Sequence, residues 1–107
     1  DKELLRGKCI IAIGSYMPEM REIPDAVLDL VDNVYIELPY ACEESGDLSQ
    51  PLASGKLTKD RIKLMHEYLV SGEKEIKEGQ TTYFKSVGMG LFDVCIAQKL
   101  YEVAKEK

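Results

Sequence analysis

Between Gly7 and Gly14 the chain runs Lys-Cys-Ile-Ile-Ala-Ile, apolar from Cys9 onward and without polar alternation. That pattern predicts a buried strand covered on both faces, as in parallel sheets, better than an antiparallel strand with one wet side. A turn-rich stretch follows, Gly14-Ser15-Tyr16-Met17-Pro18. Pro24 and Asp25 then open a short helix to about Val31, with Val27, Leu28 and Val31 on its apolar stripe. Residues 33–38, Asn-Val-Tyr-Ile-Glu-Leu, read as a second strand. Alternation sets Val34, Ile36 and Leu38 on one face, Tyr35 and Glu37 on the other. Strand, turn with helix, and strand at this spacing form a βαβ unit, whose crossover makes the strands parallel. The chain is thereby confined to the α/β class.

The later elements follow from caps and periodicity. Residues 40–47 predict a helical turn ending near Gly46, and 48–56, with Pro51 and Gly55, an irregular stretch. Thr58 predicts the cap of a helix that carries Ile62, Leu64, Met65, Leu69 and Val70 and stops at Ser71-Gly72. Residues 73–82 are charged and then polar, which predicts an exposed linker or a short edge element around Ile76. From Gly88 to about Lys105 there is no proline, and Met89, Phe92, Cys95 or Ile96, and Val103 recur at helical spacing. Residues 87–97 are apolar nearly all round apart from Asp93, whereas 98–107 are polar. This predicts a helix deeply buried at its start, against a partner domain or subunit, and surface-lying at its end. The order is β, α, β, α, α, α.

A length of 107 residues suits one domain or a piece of a larger one. The chain opens on Asp rather than Met, so the gene product is expected to begin upstream. A net charge of −5 argues against general nucleic-acid binding, which needs concentrated positive charge. The apolar runs fall short of a membrane span, and no secretory leader pattern stands at the start. Three cysteines cannot all pair, so a reduced, cytoplasmic chain is the expectation. With one histidine, His66, and no Cys-x-x-Cys, no metal ligand is assigned.

Two places can carry chemistry. In open parallel sheets ligands sit beyond the C-terminal ends of the strands. Ala12, Ile13, Gly14 and Ser15 occupy that place, and small residues there admit a flat ring or a phosphate; from pattern alone a plain strand-ending glycine turn is the simpler account. Phe84-Lys85-Ser86-Val87-Gly88 precedes the last helix, where free N–H groups attract negative charge; simple capping by Ser86 is the alternative. Glu19, Arg21 and Glu22 read as a solvated charged face or a local ion pair, Cys9 as a small buried hydrophobe, and His66 as a surface or half-buried filler. Asp93, among apolar neighbours, needs a hydrogen-bond partner or water. No Gly-x-Gly-x-x-Gly, P-loop, Gly-x-Ser-x-Gly or His-Glu-x-x-His motif occurs.

Three segments taken together resemble a known family. Ala12-Ile13-Gly14-Ser15-Tyr16-Met17-Pro18-Glu19-Met20-Arg21-Glu22 is similar to the AIG(S/A)-x-x-P-x-x-R-E run of the ornithine cyclodeaminase/mu-crystallin family. Glu44-Ser45-Gly46-Asp47-Leu48, with Pro51-Leu52 and Gly55, resembles its E-x-GD-L-x-x-PL-x-x-G segment. Phe84 to Asp93 resembles its FKSVG-x-(A/G)-x-x-D entrance to the last long helix. The resemblance covers almost the whole chain, as the C-terminal third of longer proteins.

It implies an α/β fold: a partial Rossmann-like parallel sheet with flanking helices and a long C-terminal helix. Residues 1–72 would be the C-terminal part of an NAD(P)-binding domain, 73–87 a linker and cofactor-side loop, and 88–107 a helix returning to an outer substrate and dimerisation domain. The implied cofactor is NAD or NADP, the substrate a small amino or cyclic imino acid, and the assembly a homodimer. Ala12, Ile13, Gly14 and Ser15, with Tyr16, would line the nicotinamide side; Ser86, Val87 and Gly88, with Lys85, would approach its reactive end. Ornithine cyclodeaminases carry a proposed catalytic aspartate where Tyr16 stands, so the resemblance implies dehydrogenase or imine-reductase chemistry instead, with no catalytic residue in this segment. The family's substrate-binding arginine and lysine and its glycine-rich loop lie upstream. Gln80 and Thr81 also depart from the family's usual pattern, in which an acidic and a β-branched apolar residue are typical at these positions. The competing expectation is a non-catalytic α/β module that binds a protein through the Met89–Ile96 surface.

Overall fold

A computed structural model describes residues 1–71 and 76–107. Four parallel strands form one sheet: β1 (Cys9–Ala12), β2 (Val31–Ile36), β3 (Ile62–Leu64) and β4 (Thr81–Lys85), in the order β1-β4-β2-β3. The two strands expected from sequence are both present and parallel, but they are not neighbours. β4 lies between them, with Ile10 beside Tyr83 and Val34 beside the same Tyr83.

The helices are α1 (Asp25–Leu28), α2 (Ala41–Glu44), α3 (Gly46–Ser54), α4 (Met65–Ser71) and α5 (Gly90–Lys105). One sheet face carries Ile10, Ala12, Val34, Ile36, Tyr83 and Lys85, since residues paired across parallel strands share a face. Val27 and Leu28 of α1, Ala41 of α2 and Leu48 of α3 belong to the buried core with these strand residues. The opposite face is only partly covered. Tyr68 of α4 meets Tyr35 edge-on, with ring centroids 5.4 Å apart, while Ile11 remains 65% exposed.

Four expectations need correction. Residues 58–70 are not one helix: a 3-10 turn (Lys59–Arg61) leads into β3 and then α4. A short apolar run is ambiguous between strand and helix, and the free edge of β2 captures Ile62–Leu64. Residues 81–85 are a central strand rather than linker; Thr, Tyr and Phe suit a pleated surface, but the lysine in the run masks it. Residues 46–54 are helical despite Pro51, because Ser45 accepts a hydrogen bond from Asp47 N and Gly55, at φ +77°, stops the helix. Cys9 is exposed, because β1 is an edge strand with one open face.

The last helix leaves its apolar start uncovered within this chain, open to the expected partner domain or subunit. Within this chain none of α5 is buried, its entrance included, and Leu91, Val94 and Ile96 are all exposed. It begins at Gly90, two residues late, because Gly88 sits in the left-handed region at φ +81°. Within this chain Asp93 and His66 are both exposed, His66 at the start of α4. The helix stop at Gly72 and the linker residues Glu73, Lys74 and Glu75 lie outside the described residues. Among the described residues, no helix is long and apolar enough to cross a membrane.

Candidate functional site

The C-terminal ends of β1, β4 and β2 form one edge. Ala12 is the partner of Lys85, which is the partner of Ile36, so the segments that follow these strands emerge side by side. Ser86 N donates to Ala12 O at 3.1 Å, joining the two stretches singled out from sequence. Their side chains diverge, however, because successive residues of a strand point to opposite faces.

On the covered face the three sequence motifs lock together. Ser15 is fully buried; its hydroxyl donates to Met20 O at 2.6 Å and lies 2.8 Å from Ser45 Oγ. Asp47 Oδ1 accepts from the backbone of Glu22 and Ile23, at 2.8 and 2.9 Å. Lys85 is buried completely, with Nζ 3.5 Å from Asp47 Oδ2 and 3.7 Å from Glu22 Oε2. Glu22 Oε2 also accepts from Gly14 N at 2.7 Å. That backbone N–H, with the Lys85 charge behind it, holds the Glu22 carboxyl below the ordinary carboxylate range. Burial, then the charges of Asp47 and Glu22, push the neighbouring Tyr83 phenol far upward, so it stays neutral.

The network recasts part of the sequence reading. Glu22 is a latch on the Gly14 turn instead of part of a solvated face, although Arg21 does make a local pair with Asp25 at 2.7 Å. Ser15 turns its hydroxyl into the core, and the Lys85 ammonium is withdrawn from the edge, so both meet that edge through backbone alone. Replacing Ser45 by alanine removes the α3 cap and the partner of Ser15. The expected loss is about 1–2 kcal/mol, read as a lower urea midpoint at unchanged slope.

The opposite face holds an open cavity of about 600 Å³ lined by Glu37, Phe84, Ser86, Met65, Met89 and Phe92, among others. Ser86 donates its hydroxyl to Glu37 Oε1 and accepts from Gly88 N at 3.2 Å. Val87 is half-buried against the core, and Tyr40 OH donates to Gly88 O at 2.8 Å. Ile13 and Tyr16 are exposed at 72% and 58% beside this edge, Ala12 is buried, and Gly14 is half-buried. Sequence reasoning missed Glu37 and Asp47 as members of these clusters. A carboxylate ending an apolar strand, and another at a helix start, were the available signals.

Comparison with known proteins gives a consistent picture. The sequence model of the ornithine cyclodeaminase/mu-crystallin family matches residues 1–107. A Delta(1)-pyrroline-2-carboxylate reductase of Bacillus cereus is 36% identical over 110 aligned residues, covering 100% of this chain and 34% of the relative. Protein SAR DEFICIENT 4 of Arabidopsis thaliana is 32% identical, over 90% of this chain and 30% of its own length. The chain thus spans about a third of the length of the curated relatives it matches. The crystal structure of a "probable ornithine cyclodeaminase" from Bordetella pertussis Tohama I superposes with a TM-score of 0.79 at 28% identity, over 95% of this chain and 33% of that one. Delta(1)-pyrroline-2-carboxylate reductase of Thermococcus litoralis, solved with NADH and L-proline, has the same fold, with a TM-score of 0.79 at 24% identity. It covers 94% of this chain and 32% of that one.

Proposed function

Because this chain belongs to the ornithine cyclodeaminase/mu-crystallin family, we propose that the full-length protein is an NAD(P)-dependent reductase of a small cyclic imino acid. The observation that carries this reading is the shared edge: β1 and β4 deliver residues 12–16 and 85–88 to adjacent positions, tied by the Ser86 N to Ala12 O bond. Ligands of open parallel sheets sit beyond such an edge. The 36% identity to a Delta(1)-pyrroline-2-carboxylate reductase over the whole chain supports imine reduction in particular, as does Tyr16 in place of an acidic residue.

The edge fits a flat ring bearing polar substituents. Nothing lies within 4 Å of where a Cβ on Gly88 would stand, and Glu37 Oε2 has no hydrogen-bond partner. When bound, the cofactor supplies the hydride for reduction of the imine carbon. Ala12, Ile13, Gly14, Ser15 and Tyr16 form one wall of its site, and Ser86, Val87 and Gly88 the other; Lys85 acts from beneath by fixing Glu22 and so the Gly14 turn. Residues 1–72 then belong to the cofactor domain, and α5 leads to an outer substrate and dimerisation domain. The greasy, exposed entrance of α5 supports that crossing. We place the full-length protein in the cytoplasm, in keeping with its three free cysteines, and read it as a homodimer on the strength of the family alone.

Titration of the full-length protein with NADH and with NADPH, followed by fluorescence, is expected to show saturable binding of at least one. Δ1-pyrroline-2-carboxylate should then consume that reduced cofactor. Absence of binding by both would refute the reading and leave a protein-binding module in its place.

A further inference from the structure

The hydroxyl of Ser86 has one proton to donate and two lone pairs. Its proton is committed to Glu37 Oε1, and one lone pair receives the Gly88 N–H. What Ser86 retains is a single acceptor site. Glu37 is 8% exposed, and its other oxygen, Oε2, is buried without a hydrogen-bond partner. A buried carboxylate oxygen left unpaired is costly and rare in native proteins. Glu37 and Ser86 both line the cavity between Phe84, Met89, Phe92 and α4, whose other walls are mostly apolar.

We propose that Glu37 and Ser86 form an acceptor-only recess for a nitrogen that carries two N–H donors. The inference rests on the cofactor reading above. In that setting the nitrogen is the primary amide of the nicotinamide ring; a substrate amine offers the same chemistry from the other side of the reaction. Glu37 serves twice: it takes one N–H itself, and it holds the Ser86 hydroxyl so that only a lone pair faces the ligand. Backbone N–H groups at a helix start would instead select acceptors, so the recess reverses the preference expected from residues 84–88 alone.

Calorimetric titration of the full-length protein tests this with NADH and with the reduced 3-acetylpyridine analogue, in which a methyl group replaces the amide nitrogen. The wild-type protein is expected to prefer NADH by about tenfold or more. Glu37→Gln keeps the shape but turns an N–H toward the ligand, and should bring the two affinities close together; Ser86→Ala should narrow the gap less. Circular dichroism confirms that each variant is folded. If the cofactor ratio is flat in the wild type but L-proline binding to the NADH complex weakens about tenfold in Glu37→Gln, the recess holds the substrate nitrogen and the inference stands. NADH binding that persists while neither quantity moves overturns it. Absence of binding by both NADH and NADPH in the wild type overturns the cofactor reading, and this inference with it; a protein that takes only NADPH is tested in the same way with NADPH and its reduced 3-acetylpyridine analogue.

Discussion

Asp47→Ala is expected to cost the full-length protein about 3–5 kcal/mol of stability in the domain that carries this sheet. The substitution leaves the Lys85 ammonium buried without its nearest countercharge, and strips the Glu22 and Ile23 N–H groups of their acceptor. Water does not reach the stranded ammonium, since Lys85 is fully buried. Glu22 remains at 3.7 Å, but its side chain is 41% exposed and its charge is correspondingly screened. Urea unfolding followed by circular dichroism checks the size of the effect. A change under about 1 kcal/mol would show that the pair does not hold the fold. Asp47→Leu combined with Lys85→Met should recover much of the ion-pair loss, because it removes both charges instead of stranding one. The unpaired N–H groups of Glu22 and Ile23 set the remainder.

Gly46→Ala should be nearly as severe, at about 3 kcal/mol. A Cβ at Gly46 would stand 2.3 Å from Met20 O and 2.5 Å from Pro18 O, both backbone atoms that cannot rotate away. Gly46 N also donates to Met17 O at 3.0 Å, so the start of α3 is clamped to the turn that follows β1. Pushing that turn outward breaks the Ser15 to Met20 bond and shifts Gly14 on the edge proposed to hold the cofactor. The variant is therefore expected to lose NADH affinity together with its thermal midpoint. A variant with wild-type melting and binding would show that the turn yields at no cost.

Both predictions turn on residues the sequence exposes only as motif letters. Ser15, Asp47 and Lys85 stand in three separate family-like segments, and spacing alone cannot distinguish a cofactor contact from a brace beneath it. The lysine is instructive. An exposed lysine after an aromatic is common, yet Lys85 is wholly buried, because β4 occupies a central position and α3 brings Asp47 to it. Glu37 escaped notice for a related reason. Alternation predicts one covered face for the second strand, whereas Tyr35 and Glu37 are buried as well, since α4 covers that side.

The sequence by itself determined the class: a glycine-bounded apolar strand, a short helix and a second strand enforce a parallel α/β sheet, and unbroken periodicity from Gly90 enforces the last helix. Local sterics and burial patterns suffice for those elements. The tertiary structure alone decided that Thr81–Lys85 enters the sheet between β1 and β2, that Ile62–Leu64 extends it, and that Ser15 and Ser86 turn to opposite faces of one edge. Strand pairing is a hydrogen-bonded contact between distant segments, and which face a side chain takes depends on that register. Neither quantity is written in any local stretch of the chain.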